Sequence, residues 1–140
     1  MAGETVTTQL VTKPLLTSKS VGEVVAQTWS IEVPTAQMQT NDITAIAKLP
    51  KGATLHYAII KTDDLDTDGS VALVWSILIG SAAWKAGLAN DTLKAGTLVT
   101  PDADQSEITA ESIVYIKSTT AAATAAEGTF TITLFYTTSE

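Results

Sequence analysis

The sequence predicts an all-β fold: a single β-sandwich or jelly-roll-like domain over residues 21–140, preceded by an extended N-terminal arm over residues 1–20. Three observations predict it. Apolar residues recur with period two in the best-patterned segments, as they do in strands with one buried face. About one residue in six is Thr, a β-branched type that suits a pleated, half-exposed surface. Turn signals cut the chain into roughly seven or eight short β-runs with few helical stretches between them. No repeat of 20 to 50 residues is visible, which argues against solenoids and propellers.

Taken in order, the arm holds a short strand over Glu4–Lys13, with Val6, Leu10, Val11, Leu15 and Leu16 available for burial. The segment Val25-x-Gln27-x-Trp29-x-Ile31-x-Val33 alternates cleanly and stops at Pro34, which has no N–H to give to a ladder. A shorter strand follows at Ile43–Leu49. Ala53–Thr62 and Val71–Ile79 read as a hairpin joined by the acidic stretch Asp63–Ser70, because Asp68-Gly69 is a strong turn dipeptide. Val71–Ile79 is apolar on both faces apart from Ser76 and reads as a central, fully buried strand.

Ser81–Leu88 reads as one or two helical turns, with Ser81 as N-cap, Trp84 and Leu88 on one face and Gly87 as the stop. Thr100-Pro101-Asp102 is a second possible helix start, with Pro at the first helical position. Ser112–Ser118 is a β-run, and the Thr/Ala-rich stretch 119–126 is a connection. In the last strand, Phe130, Ile132, Leu134 and Tyr136 share one face, while the other is nearly all Thr.

Composition excludes several functions. The chain has 15 acidic residues against 8 basic ones, a net charge of −7, and every basic residue is Lys. That is the wrong balance for binding nucleic acid, whose phosphates select basic patches and bidentate guanidinium groups. With no Cys, disulfides and thiol chemistry are absent. The start Met1-Ala2-Gly3-Glu4-Thr5 lacks the basic and apolar regions of a signal peptide, and no apolar run approaches the ~20 residues of a membrane helix. A soluble chain is expected. Charged residues make up only 16%, low beside the ~25% typical of soluble domains, which hints at surface covered by a partner.

No catalytic signature is present, and no catalytic, cofactor-binding or metal-ligating residue is assigned. The most suggestive motif is Asp64-x-Asp66-x-Asp68-Gly69, which matches the first half of an EF-hand loop. The twelfth position, however, is Trp75 rather than Glu, and the flanks are strands. A looser hairpin Ca²⁺ site remains one reading; Asp side chains capping backbone N–H groups at a solvated tip is the other. His56, the only histidine, lies in a strand, with no nucleophile elbow in the sequence to accompany it. Trp29 and Trp75 are in phase with apolar neighbours and read as core. Trp84 sits among small residues outside the expected strands and reads as the exposed one, able to contact protein or carbohydrate. The arm reads either as a frayed terminus or as a strand added to a neighbouring subunit.

Several segments together resemble short structural proteins of tailed bacteriophages. They are Leu49-Pro50-Lys51-Gly52-Ala53 leading into a strand, Asp64-Leu65-Asp66-Thr67, the strand closing on Ile79-Gly80, Ala86-Gly87, and Ala122–Thr129 before a final strand ending in Tyr136. The resemblance runs from about Thr44 to the end. It implies a non-enzymatic virion protein, a capsid decoration (cement) protein that binds the major capsid protein on the outer surface of the head. It also implies a homo-oligomer, with a trimer favoured. The alternatives are another virion part (head fibre or knob, neck or tail protein) and a carbohydrate-binding jelly-roll module.

Overall fold

The structure is a computed structural model that describes residues 4–5, 24–102 and 107–139. Among them, nine strands form two sheets. They are β1 (Glu4–Thr5), β2 (Val25–Val33), β3 (Asp42–Leu49), β4 (Ala53–Thr62), β5 (Val74–Ile79), β6 (Ala82–Ala89), β7 (Thr97–Val99), β8 (Ser112–Thr120) and β9 (Gly128–Thr138). A 3-10 turn spans Thr35–Gln37, and one short helix, α1, spans Asn90–Leu93. The five-stranded sheet has the order β1-β3-β8-β5-β6 and the four-stranded sheet the order β2-β9-β4-β7. All pairings are antiparallel except β1 on β3. The all-β sandwich expected from the sequence is therefore the observed architecture.

The core follows from strand alternation. Trp29, Leu55, Ile60, Phe130, Ile132, Leu134 and Tyr136 from one sheet meet Ile46, Leu49, Trp75, Ile77, Trp84, Val114 and Ile116 from the other in a single buried cluster. Burying each Ile, Leu or Phe contributes about 1.5–3 kcal/mol. Trp75 and Phe130 meet edge to face across the two sheets, with ring centroids 5.4 Å apart, the geometry that aromatic quadrupoles favour. In β9 the alternation is complete: each even-numbered residue from Gly128 to Thr138 is buried and each odd one is half-buried.

Five expectations are corrected. β4 and β5 do not form a hairpin: β4 lies between β9 and β7, and β5 lies in the other sheet between β8 and β6. The acidic stretch is thus a crossing between sheets. β5 is an interior strand as expected, but it begins at Val74, and only Trp75, Ser76 and Ile77 are fully buried. Ser81–Leu88 is not helical. Gly80, at φ +62°, supplies the left-handed conformation of a tight turn, and Ala82–Ala89 returns along β5. Trp84 and Leu88 both point inward, with Ala86 and Gly87 exposed between them where the pairing of β6 with β5 slips. Trp84 is consequently buried, at 2% exposure, and not a surface residue.

Thr100–Asp102 starts no helix either. Asp102 instead clips the open edge of β6: its N–H donates to Trp84 O (3.0 Å) and its Oδ2 accepts from Ala86 N–H (2.9 Å). Lys85 Nζ lies 3.1 Å from Asp102 Oδ1. A blocked edge cannot recruit a foreign strand there. α1 and β7 carried no pattern long enough to be read in advance. Of the expected strand Glu4–Lys13, residues 4–5 are β1; the rest lies outside the described residues, as does most of the arm.

Gly128 starts β9 against the sheet crossing. A Cβ there would meet Asp63 Cβ at 2.8 Å and Leu65 Cδ2 at 2.9 Å, whereas one on Gly69 would meet nothing within 4 Å. Gly128→Ala is expected to lower stability by about 1–3 kcal/mol in urea unfolding, with Gly69→Ala close to neutral in the same assay.

Candidate functional site

Two crossings between the sheets run side by side at one end of the sandwich. Residues 63–73 carry the chain from β4 to β5, and residues 121–127 carry it back from β8 to β9. Asp66 joins them and is fully buried. Its Oδ2 accepts N–H bonds from Ala72 (2.8 Å), Leu73 (3.1 Å) and Ala123 (2.9 Å), and its Oδ1 accepts from Asp68 (3.2 Å) and Thr124 (3.0 Å). Thr67 N–H to Thr124 O and Ala126 N–H to Leu65 O, both 2.9 Å, complete the tie.

Burial alone pushes the Asp66 carboxyl up. The N–H groups of Thr124, Ala123, Ala72 and Leu73 outweigh it and hold the group far below the ordinary carboxylate range. Five donors aimed at one carboxylate make the ionised form the one the fold requires.

Asn90, at the start of α1, is the second polar anchor at this end and is also fully buried. Its Oδ1 accepts from Thr62 Oγ1 and Trp75 Nε1, both at 3.1 Å, and its Nδ2 donates to Asp63 O at 3.3 Å. Its N–H donates to Leu73 O at 3.0 Å. The β4 end, the crossing and β5 are thereby fixed to one side chain.

The remaining acids of the stretch are engaged in the same way. Asp63 Oδ2 accepts from Thr129 N–H (2.8 Å), Asp68 Oδ2 from Ser70 N–H (2.9 Å) and Asp68 Oδ1 from Thr124 Oγ1 (3.0 Å). Asp64 Oδ1 lies 3.9 Å from Lys94 Nζ, which also pairs with Asp91 at 2.9 Å. Of the two readings of this motif, capping of backbone N–H groups describes the geometry. Among the described residues, no three His, Cys, Asp or Glu side chains converge as metal ligands.

His56 is exposed on β4, where the pairing with β9 slips by one residue between Leu55 and Tyr57. Its Nε2 lies 2.8 Å from Thr137 Oγ1, and among the described residues no carboxylate bonds the ring. Trp29 and Trp75 are fully buried, as read from their phase. With Trp84 also buried, none of the three Trp residues is available to stack on a sugar, and that basis for a carbohydrate site is gone.

What the sequence left unassigned is the outer face of the four-stranded sheet. Rows of side chains cross it in register. Leu98, Ile59, Thr133 and Thr28 form one row, and Tyr57, Phe135 and Ala26 the next. The rings of Tyr57 and Phe135 stack with centroids 4.5 Å apart and 17° between planes. The hydroxyls pair with one another or with neighbouring polar groups: Thr28 with Thr133 at 2.8 Å, Ser30 with Thr131 at 2.7 Å, and Thr129 with Glu32 at 3.3 Å. The alternation of β9 signalled a Thr face; the apolar row beside it comes from register with β4 and β7, which the sequence does not display.

No protein-family model matches the sequence, and no characterised protein matches it at a significant level. Solved structures share the fold. A chain from a structure described as the capsid of Ralstonia phage GP4 superposes with a TM-score of 0.74 at 22% identity, over 99% of each chain. One from the cyanophage Pam1 capsid asymmetric unit gives 0.70 at 21%, over 91% of this chain and 95% of that one. One from the acidic stable capsid structure of Helicobacter pylori bacteriophage KHP30 gives 0.57 at 14%, over 84% and 94%.

Asp66→Ala leaves its donors without an acceptor in a dry site and is expected to cost about 3–5 kcal/mol in chemical denaturation. Because the folded carboxyl titrates below the unfolded value of about 3.9, the unfolded chain takes up the proton first. Stability from Asp66 is therefore complete above about pH 4 and is lost as pH falls through the lower, folded value. Thermal midpoints should decline below pH 4 in the wild type and less steeply in Asp66→Asn. Melts in excess Ca²⁺ and in chelator are expected to coincide, since donors of the chain already occupy oxygens of Asp63, Asp66 and Asp68.

Proposed function

We propose that this chain is a non-enzymatic structural protein of a phage virion: a decoration protein that binds the outer surface of an assembled tailed-phage head, contacts its major capsid protein and stabilises the shell. The observation that carries this reading is the match of fold over 99% of both chains with the structure described as the Ralstonia phage GP4 capsid. A sandwich of the same size is thus part of that capsid structure, and two further phage capsid structures hold chains of the same fold.

The chemistry of the chain supports the same role. Its one histidine bonds a threonine hydroxyl, its acidic stretch is consumed in holding two crossings together, and its tryptophans fill the core. What it offers outward on the four-stranded sheet is a face whose charged side chains are Lys61 and Glu32. Such faces pack on another protein at small desolvation cost, because few charges must be stripped of water. Repetition over a shell turns many modest contacts into a substantial reinforcement.

In gradient sedimentation, the purified chain is expected to travel with expanded heads lacking it and not with unexpanded proheads. Protein remaining at the top of the gradient with every particle would contradict the proposal. Light scattering is expected to give about three times the monomer mass of 14.6 kDa, as a homotrimer requires; a mass equal to the monomer at micromolar concentration would remove the trimer.

A further inference from the structure

Three large hydrophobic residues are exposed among the described residues: Val24 at 55%, Ile59 at 44% and Leu98 at 60%. Ile59 and Leu98 lie on the outer face of the four-stranded sheet, where they are direct cross-strand partners; Val24 immediately precedes β2. Beside Ile59 in the next row lies the stacked pair of Tyr57 and Phe135. We infer that this face is the surface through which the chain seats on the head, and that its counterpart is a flat, uncharged protein surface of the shell. The inference rests on the decoration reading above.

First, the face is ready to lose its water. Its hydroxyls are bonded across the strands, as Thr28–Thr133 and Ser30–Thr131 are, so covering them strands few polar groups. Second, charge on the face balances. Lys61 and Glu32 are the ionised side chains it carries, in a chain whose net charge is −7. A face with balanced charge suits a partner surface of low charge. Third, the apolar area is small. Its outward apolar side chains are Ile59, Leu98 and the ring pair Tyr57–Phe135. They suit attachment in which many copies hold one shell.

The test compares the wild type, the double variant Ile59→Lys/Leu98→Lys, and Ala83→Lys, which puts a charge on exposed β6 of the other sheet. Each is mixed with purified heads assembled without this chain, and the bound copies are counted after sedimentation. Light scattering and thermal melts are run on the free proteins. The expected result is at least a tenfold loss of bound double variant, with melting point and mass unchanged and Ala83→Lys bound like the wild type. Should the double variant melt lower, Ile59→Thr/Leu98→Thr carries the same comparison with residues that suit an exposed strand. Binding of the double variant equal to wild type overturns the inference, as does loss of self-association, which would make the face an interface between copies. A wild-type chain that leaves the heads bare removes the decoration reading and this inference together.

Discussion

The fold depends on one buried negative charge. The chain passes between its sheets beside itself at one end, outward through residues 63–73 and back through residues 121–127, and Asp66 binds the two passages. A carboxylate taken from water is costly, and here five backbone N–H groups replace the lost hydration. The donors come from both passages, so neither can move without exposing an unmet charge. Gly128 and Asn90 tighten the same end, one by yielding space to Asp63 and Leu65, the other by bonding Thr62, Trp75 and the crossing.

Locking the crossings has a consequence at the surface. With both sheets pinned at this end, the register of β4, β9 and β2 is set, and the register decides which side chains stand next to one another outside. Tyr57 falls on Phe135 and Ile59 on Leu98 because β9 and β7 flank β4. The same register brings Thr28 to Thr133 and Ser30 to Thr131, so that polar groups on the surface satisfy each other. The crossings held by Asp66 thus adjoin a sheet whose outer face is ordered by its own cross-strand contacts.

How much of this was legible in the sequence divides along a physical line. Alternation is a local property, and it revealed β2, β9 and the core positions of Trp29 and Trp75. Pairing is not local. Asp68-Gly69 announces a turn between two β-runs, yet Asp66 takes donors from residues 57 and 58 positions away, and no pattern near Asp66 records them. The inward pair Trp84 and Leu88 fits the helical period, and only the partner strand β5 decides otherwise. The exposed apolar row was illegible for the same reason: Ile59 and Leu98 are 39 positions apart and become neighbours only through the sheet.

The fold is shared with chains of three phage capsid structures, and the proposal built on it is that this sandwich attaches to a head. The most direct measurement is a cryo-electron microscopy reconstruction of the virion proposed to carry this chain. The expected map shows the sandwich repeated over the outside of the head, its four-stranded sheet turned towards the shell. A map with bare heads and the sandwich confined to the neck, tail or fibres would contradict it.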